Sequence, residues 1–312
     1  MSEYSERIRK EWKMLSVVRD INLKQPSDVE VFRNIEYREC GEYDYQNGWN
    51  LLDLYVPKHV STKLPVIMSF HGGSYVYGTK EMYQYYLMSL AQRGFAVINF
   101  NYRLAPEYKY PTAFNDANCV VEWARKNASQ YNLDLDNFFL IGDSAGAHYV
   151  SMYTLLCTNS AYSDLIGICP PENFVPKGLG LNCGFYKINW FFYLVNDIVD
   201  AMTDVLGDEA MSKGKMLLNG KSVKIAKFTN VLKWINKDFP PCYVMSGGND
   251  FVKFQVKYIR RQLKKFHINH KAKIYGTRAD KDTIHNFHAN LECDYSKICN
   301  DDECEFFKSL IS

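Results

Sequence analysis

The sequence predicts an α/β fold in which helices cover both faces of a mostly parallel, eight-stranded sheet. Two observations predict it. Eight short apolar or alternating runs are distributed along the 312 residues, of which 47% are hydrophobic. Beyond residue 65, these runs take turns with segments whose apolar residues recur at helical spacing. A chain of this length buries about 75% of the surface that it exposes when unfolded, which is enough for one large core.

The eight runs have the length and composition of strands. The first two have no helical segment between them and predict an antiparallel hairpin at one edge of the sheet. The other six are joined through helical segments, as parallel neighbours require. The predicted strands cover residues 29–38, 51–56, 65–70, 95–100, 138–141, 178–183, 241–246 and 271–275.

Apolar side chains three and four positions apart predict the helices between these strands. One helix ends before Gly94, because glycine is favoured after a last helical turn. A second follows Pro111, a third covers residues 147–157, and a fourth begins near residue 252. The stripes of the first, second and fourth helices are Met82, Tyr86, Leu87 and Leu90; Phe114, Ala117, Val121 and Ala124; and Val252, Val256, Ile259, Leu263 and Phe266.

Two segments depart from this alternation. Residues 1–27 predict a helix with an apolar side formed by Ile8, Trp12, Leu15 and Val18. The connection between residues 183 and 241 is too long for a simple crossover. We expect residues 1–28 and about 187–228 to be helical cap elements over the strand ends, and residues 29–312 to form the main domain.

The long connection contains an aromatic helix and a lysine-rich stretch. The helix is predicted over 190–202, and its aromatic residues indicate a cap core or the lining of a pocket. The lysines predict a solvated face, with a basic rim for an acidic substrate as the alternative. The aromatic residues are Trp190, Phe191, Phe192 and Tyr193, and the lysines are Lys213, Lys215, Lys221, Lys224, Lys227, Lys233 and Lys237.

Composition argues against several classes of protein. Abundant aromatic residues and a formal net charge of +2 exclude intrinsic disorder and give no reason to expect nucleic-acid binding. No apolar run approaches the roughly 20 residues of a membrane span, and residues 1–13 lack the apolar core of a secretory leader. Nine cysteines without a C-x-x-C pair predict inert free thiols, Cys183 among them, in a reducing cytoplasm, with a metal or disulfide role for Cys293, Cys299 and Cys304 as the alternative.

The strongest chemical signal is the pentapeptide Gly-Asp-Ser-Ala-Gly at residues 142–146. It follows a predicted strand and opens a predicted helix, which is the setting of the G-x-S-x-G nucleophile elbow. The glycines allow the sharp turn that lifts Ser144 above the sheet. The helix that follows presents its positive end, and the Ala145 N–H would face a developing oxyanion. Ser144 is therefore the predicted nucleophile.

A second glycine-rich segment, His71-Gly72-Gly73, follows another predicted strand directly. Glycines at such a place let backbone N–H groups approach a bound carbonyl oxygen. Taken alone, the segment also fits an ordinary glycine turn. Because it precedes the elbow along the chain, we expect the N–H groups of Gly72, Gly73 and Ala145 to form an oxyanion hole.

A nucleophilic serine needs a base, and the base needs a carboxylate that orients it. Asp250 follows the strand predicted at 241–246, and His285 lies in the loop after the last predicted strand. These positions predict Asp250 and His285 as the partners of Ser144. His288 is the alternative base, and Asp250 also fits the N-cap of the next helix.

The chain resembles the hormone-sensitive-lipase-like branch of the α/β-hydrolase carboxylesterases over roughly residues 29 to 310. The segments that carry the resemblance are, in order, His71-Gly72-Gly73, Asn-Tyr-Arg-Leu-Ala-Pro-Glu at 101–107, Gly-Asp-Ser-Ala-Gly, Asp250 before a helix, and His285-Asn286-Phe287. The last segment matches the family's His-x-Phe and favours His285 over His288. Two positions depart from the family pattern, because Ser74 replaces a third glycine and Asn286 replaces a small residue.

The resemblance implies an α/β-hydrolase fold and a serine carboxylesterase that hydrolyses short- to medium-chain acyl, acetyl or aryl esters through an acyl-enzyme on Ser144. An amidase or peptidase with the same triad is one alternative, and a non-catalytic small-molecule receptor on this scaffold is another. We expect a small-molecule ester as the substrate, with no nucleic-acid partner, no membrane span, no metal and no cofactor. The oligomeric state stays open, with a homodimer as one option. Arg103 and Glu107 are expected to brace loops near the site, and Asp143 is expected to be a buried hydrogen bonder of the turn.

Overall fold

The structure is a computed structural model that describes residues 1–187 and 196–311. All eight predicted strands are present, and the largest difference is at β5, which begins at Leu133. The strands are β1 (Val29–Glu36), β2 (Leu51–Pro57), β3 (Leu64–Phe70), β4 (Ala96–Phe100), β5 (Leu133–Asp143), β6 (Gly178–Asn182), β7 (Lys215–Leu218), β8 (Lys221–Lys224), β9 (Cys242–Gly247) and β10 (His270–Tyr275).

Eight of these strands form one sheet in the order β1-β2-β4-β3-β5-β6-β9-β10. The pairs β1–β2 and β2–β4 are antiparallel. The remaining neighbours are parallel. The mostly parallel sheet and the antiparallel edge hairpin are therefore both confirmed. The strands β7 and β8 pair with each other in a separate hairpin, which the sequence analysis did not predict.

Helices cover both faces of the sheet, because side chains alternate along each strand. In β3, Val66 and Met68 join one core with α4, α5 and α10, while Ile67 joins a second core with α3 and α11. The helices are α1 (Glu3–Asp20), α2 (Glu42–Gln46), α3 (Gln84–Ala91), α4 (Thr112–Asn127), α5 (Ala145–Thr158), α6 (Ser160–Ile166), α7 (Asn196–Leu206), α8 (Asp208–Lys213), α9 (Ile225–Phe228), α10 (Phe254–Lys265) and α11 (Asp294–Lys308). Of the helices that the structure describes, none combines the length and the hydropathy that a bilayer crossing requires.

The predicted stripes match the helices of the main domain with small differences. All of the second stripe lies in α4, whereas Val252 and Phe266 flank α10 rather than lie in it. The sequence analysis missed α11, because acidic residues, asparagine and cysteines interrupt its apolar stripe. This helix buries Cys299, Cys304 and Phe307 against the sheet.

The amino-terminal helix is buried on its predicted side only in its first half. Ile8 is 2% exposed, whereas Leu15 and Val18 are 63% and 65% exposed. The Ser2 N–H donates to the Asp204 carboxylate and ties α1 to α7. A salt bridge of 2.7 Å between Arg9 and Glu107 ties α1 to the main domain.

The long connection differs from the predicted pair of an aromatic helix and a lysine-rich stretch. The described part of the predicted helix is α7, and residues 188–195, which include all four aromatic residues singled out above, lie outside the described residues. The lysine-rich stretch folds into the β7–β8 hairpin, α9 and a turn, and all seven lysines are exposed, as expected for a solvated face.

Parallel strands place their carboxyl ends along one edge of the sheet. His71 follows β3, Ser144 follows β5, and Asp250 and His285 lie in the loops after β9 and β10. The fold therefore brings to one edge of the sheet residues as far apart in sequence as His71 and His285, which are 214 positions apart.

Candidate active site

Ser144 occupies a strained turn between β5 and α5. Its backbone has φ +52° and ψ −118°, a combination that a side chain adopts only when its surroundings enforce it. A Cβ on Gly142 would lie 2.6 Å from Gly146, and a Cβ on Gly146 would lie 2.0 Å from the Phe70 carbonyl oxygen. Only glycine fits at both positions, which is the physical reason for the G-x-S-x-G spacing.

The side chains predicted as nucleophile, base and orienting carboxylate, Ser144, His285 and Asp250, are joined by two hydrogen bonds, and this hydrogen-bonded chain is called the line below. His285 Nε2 lies 2.9 Å from Ser144 Oγ, and His285 Nδ1 lies 3.0 Å from Asp250 Oδ1. This is the arrangement in which an imidazole holds its proton on the carboxylate side and accepts one from a hydroxyl. The structure thus brings Ser144, His285 and Asp250 together as the sequence analysis expected.

Asp250 is held as a charged acceptor. The Ser246 hydroxyl donates to Oδ2 at 2.7 Å, and the Val252 N–H donates to Oδ1 at 3.0 Å. Burial alone would raise the pKa of Asp250, but the hydrogen bond and charge of His285 outweigh it and lower the pKa below its ordinary value. An ionised Asp250 can therefore orient the imidazole. Ser246 carries no sequence signal for this role beyond its place at the end of a strand.

The alternative base, His288, lies elsewhere. It is fully buried and packs edge-on against Tyr86, with ring centroids 5.0 Å apart. Within the described part of the chain, neither of its ring nitrogens has a hydrogen-bond partner. Burial lowers the pKa of His288 to about 3, so the ring stays neutral and contributes to packing.

In the glycine-rich segment, the Gly72 N–H donates a hydrogen bond to a protein acceptor, whereas the Gly73 N–H does not, within the described residues. The Gly72 N–H donates to Asp143 Oδ1 at 3.0 Å, and the Tyr83 hydroxyl donates to Oδ2 of the same carboxylate at 2.8 Å. In the described residues, the N–H groups of Gly73 and Ala145 donate to no protein acceptor. The sequence predicted that Gly72 and Gly73 both offer an N–H group to an oxyanion. The structure differs at Gly72, because its N–H already donates to Asp143.

Asp143 links the elbow to the glycine-rich segment. A Cβ on Gly72 would lie 2.5 Å from Asp143 Oδ2, so glycine is required for this close approach. Burial raises the pKa of Asp143 to about 6. Asp143 and Tyr83 thus hold the segment against the elbow. The sequence analysis expected a turn hydrogen bonder at Asp143 but missed Tyr83, which lies 60 residues earlier.

Two further polar residues brace the surrounding loops as expected. Arg103 forms a salt bridge of 2.8 Å with the buried Asp116, and Glu107 pairs with Arg9. His71 stacks on Tyr102 with ring centroids 4.2 Å apart, and burial lowers its pKa to about 4. A neutral His71 supports the backbone of the loop that it begins.

A cavity of about 410 Å³ opens beside His285 and Gly73. Its other walls come from α1, which contributes Trp12, Leu15 and Arg19, and from the loop after β10. Trp12 packs edge-on against Tyr77, with ring centroids 6.3 Å apart. The described part of the long connection contributes no residue to this lining. Side chains of α1 therefore form part of the cavity wall, and no described residue of 187–228 does; the assignment of the two segments as a cap stays a prediction.

One group of side chains in the described ranges has the composition of a metal site. The ligand atoms of Cys183, Asp250 and His285 all lie within 4.8 Å of one another. The sequence analysis treated Cys183 as an inert core thiol, because its neighbours here are 67 and 102 positions away (250 − 183 and 285 − 183).

The model of the BD-FAE family matches residues 52–258 of the chain. Among curated proteins, an arylesterase of Saccharolobus solfataricus is 38% identical over 96 residues, which cover 30% of this chain and 31% of that protein. A probable carboxylic ester hydrolase, LipM of Mycobacterium tuberculosis, is 26% identical over 218 residues, 70% of this chain and 47% of that protein. These matches span less than half the length of either relative.

Solved structures match nearly the whole chain. Esterase B of Lactobacillus rhamnosis, crystallised with an inhibitor, has a TM-score of 0.83 at 21% identity and covers 99% of this chain and 97% of that one. The carboxylesterase EstE1, from a metagenomic library, has a TM-score of 0.73 at 17% identity, with coverage of 99% and 98%. At these identities the similarity establishes the α/β-hydrolase fold.

Proposed function

The chain belongs to the BD-FAE family of the α/β-hydrolase superfamily, and from this premise we propose that it is a serine carboxylesterase. The observation that carries the proposal is the unbroken line from Asp250 through His285 to Ser144, with gaps of 3.0 and 2.9 Å. A binding protein on this scaffold has no need of a serine on a strained turn. The names of the relatives that match, which include an arylesterase and esterases, support the same class.

In the proposed reaction, Ser144 Oγ attacks the ester carbonyl while His285 Nε2 takes its proton. Asp250 keeps the Nδ1 proton in place and stabilises the imidazolium that forms. His285 then gives its proton to the leaving alcohol, and the acyl group remains on Ser144. A water molecule, deprotonated by His285, releases the acid by the same steps in reverse.

The oxyanion of the tetrahedral intermediate is proposed to bind the N–H groups of Gly73 and Ala145. Each such donor is worth about 3 kcal/mol in related sites. Gly72 serves indirectly in this proposal. Its N–H is held by Asp143 at 3.0 Å, and this fixes the peptide that carries Gly73.

The proposed substrates are short- to medium-chain acyl, acetyl or aryl esters. A cavity of about 410 Å³ lies in the range of small-molecule sites, and Trp12 and Leu15 give it an apolar wall. We also propose that residues 1–28 and about 187–228 form the cap, and that the protein works in the cytoplasm. All nine cysteines are free thiols in the structure, which suits a reducing compartment.

A serine substitution tests the proposal. We expect Ser144→Ala to abolish hydrolysis of p-nitrophenyl acetate and labelling by a fluorophosphonate probe, since both need the nucleophilic hydroxyl. Ser151→Ala is the matched control, because Ser151 is a buried serine of α5, the helix that Ser144 precedes, and it donates to the Ala147 carbonyl rather than to His285. It should keep both activities. Turnover that persists in a folded Ser144→Ala protein would refute the assignment.

The runner-up functions give different results with the same reagents. A receptor would bind small molecules yet remain unlabelled by the fluorophosphonate. An amidase would cleave p-nitroacetanilide at a rate comparable to that of p-nitrophenyl acetate. A series of nitrophenyl esters of increasing chain length would then define the acyl preference.

A further inference from the structure

Cys183 lies behind the proposed catalytic line. It follows β6, the strand between those that lead to Ser144 and Asp250, and its side chain is fully buried. Its N–H donates to the Met245 carbonyl at 2.8 Å. Its thiol contacts the Asp250 carboxylate and the backbone of Asn286. The sulfur therefore belongs to the same cluster as the carboxylate and imidazole of the site.

The three side chains form a mixed sulfur, oxygen and nitrogen ligand set. Their ligand atoms lie within 4.8 Å of one another, and the Asp250 Oδ1 to His285 Nδ1 distance is already 3.0 Å. Around a tetrahedral Zn²⁺ with bonds of about 2.0 to 2.3 Å, such atoms stand roughly 3.4 to 3.6 Å apart. Rotation of the thiol and a small shift of the imidazole would meet that requirement, and His285, whose side chain is 22% exposed and lines the cavity, is the member of the cluster that solvent reaches.

We propose that Cys183, Asp250 and His285 bind Zn²⁺ and that the bound ion switches off the hydrolase. The second half of this inference rests on the proposed function, whereas the first half does not. On binding, the thiol releases one proton to solvent and its sulfur bonds to the metal. Thiolate and carboxylate then neutralise the two charges of the ion, so the buried cluster carries no net charge.

Metal binding at Nδ1 reverses the polarity of the imidazole. To ligate through Nδ1, the neutral ring gives up its Nδ1 proton to solvent and takes one from solvent on Nε2, so its single proton then lies on Nε2. The atom that lies 2.9 Å from Ser144 Oγ is then a donor and can no longer accept the serine proton. Asp250 also exchanges its role as the orienting carboxylate for that of a ligand. The enzyme is inhibited, and removal of the metal by a chelator restores it.

Two measurements on the full chain test the proposal. The first is a Cd²⁺ titration followed by the ultraviolet thiolate-to-cadmium charge-transfer band, which reports a metal–sulfur bond without reference to activity. The second is the rate of p-nitrophenyl acetate hydrolysis against Zn²⁺ concentration, corrected for hydrolysis by the metal alone. We expect the band and complete, chelator-reversible inhibition in the unsubstituted protein.

Substitution of the cysteine separates this site from others. Cys183→Ala should lose the band and raise the half-inhibitory Zn²⁺ concentration by at least about tenfold relative to its own metal-free rate. Cys183→Ser, which keeps the volume of the side chain, serves as a second variant if the alanine variant does not fold. Cys169→Ala is the control, since Cys169 is an exposed thiol remote from the cluster, and it should behave like the unsubstituted chain.

The outcomes are distinguishable. A band that depends on Cys183 in a protein without esterase activity supports the metal site and refutes the proposed function. Absence of a band in the unsubstituted chain, or an inhibition midpoint that Cys183→Ala and Cys183→Ser leave unchanged, overturns the metal site. Loss of inhibition in Cys169→Ala instead would assign the effect to a surface thiol and overturn it equally.

Discussion

The strand-end region and the cover over it are built in different ways. The strand-end region holds Ser144, Asp250 and the glycine-rich segment by buried hydrogen bonds and by glycines with no room for a Cβ. The predicted cover, α1, is held by Ser2 and Arg9 near its amino end and by Arg19, which donates to the Met82 carbonyl, near its carboxyl end, while Leu15 and Val18 are mostly exposed. If the proposed function holds, we expect the closely packed strand-end region, called the rigid region below, to set the reaction chemistry and the more exposed α1 to set substrate choice.

The largest expected effect comes from the rigid region. Asp250→Asn keeps the shape of the side chain but removes the charge that orients His285 and stabilises its imidazolium. We expect kcat for p-nitrophenyl acetate to fall by up to about 10⁴-fold with little change in KM. Initial rates, together with a thermal unfolding curve, measure this.

Asp116→Asn is not a suitable control, because Asp116 is a buried salt-bridge partner. Asp282→Asn is better matched, since Asp282 lies in the loop of His285 and lines the cavity without touching the catalytic line. It should keep kcat within about threefold. A fall in kcat of less than tenfold in Asp250→Asn would contradict the expectation that the strand-end region sets the reaction chemistry.

A second prediction concerns stability in the same rigid region. Glu303 is buried beneath β6, where it accepts a hydrogen bond of 3.0 Å from Asn182, and burial raises its pKa to about 7. Its folded pKa exceeds the unfolded value near 4.5. The folded state therefore holds the proton more tightly than the unfolded state. As the pH rises from 4.5 through 7, ionisation of Glu303 lowers the free energy of unfolding.

Glu303→Gln removes this penalty. The stability of the variant relative to the unsubstituted chain should increase between pH 5 and pH 8 by on the order of 3 kcal/mol, as measured by urea unfolding at both pH values. Glu305→Gln, an exposed neighbour on the same helix, should show no such increase. Equal pH dependence in both variants would show that Glu303 is not the group that titrates.

The smallest effect is expected in the cover. Trp12→Ala removes a wall of the cavity and its contact with Tyr77, so it should raise KM for aryl esters about tenfold, which corresponds to roughly 1.4 kcal/mol of binding. Because Trp12 does not touch the catalytic line, kcat should stay within about twofold.

Val18→Ala is the matched change on the exposed part of the same helix, and it should leave both constants unchanged. Kinetics with phenyl and methyl acetate would sharpen the comparison, since only the larger alcohol reaches the tryptophan. A fall in kcat without a change in KM in Trp12→Ala would place the cover in the reaction itself and break the distinction between the two regions.

Much of the fold could be predicted because its signals are local. Strand and helix assignments depend on side chains two to four positions apart, and the eight strands followed from that periodicity. The Ser144 turn could be predicted equally well, because Gly142 and Gly146 each stand two positions from the serine. Two elements were missed, the β7–β8 hairpin and α11, and α11 has polar residues within its buried stripe.

The contacts that distinguish similar residues could not be read in this way. His285 and His288 are three positions apart, yet only one reaches Ser144 and Asp250. Gly72 and Gly73 are adjacent, yet one N–H is taken by a carboxylate 71 positions later. Leu15 and Val18 continue the apolar stripe of Ile8 but find no surface to cover them.

The sequence by itself determined the eight strands of the main sheet, the helices with a regular apolar stripe, the serine turn and the types of side chain available for chemistry, because each depends on neighbours along the chain; the family resemblance favoured His285 over His288. Only the tertiary structure decided which N–H group stays unengaged and that Cys183 lies beside Asp250. Those outcomes depend on how neighbouring strand ends are spaced across the sheet, and residues far apart in sequence meet there at distances that no local pattern encodes.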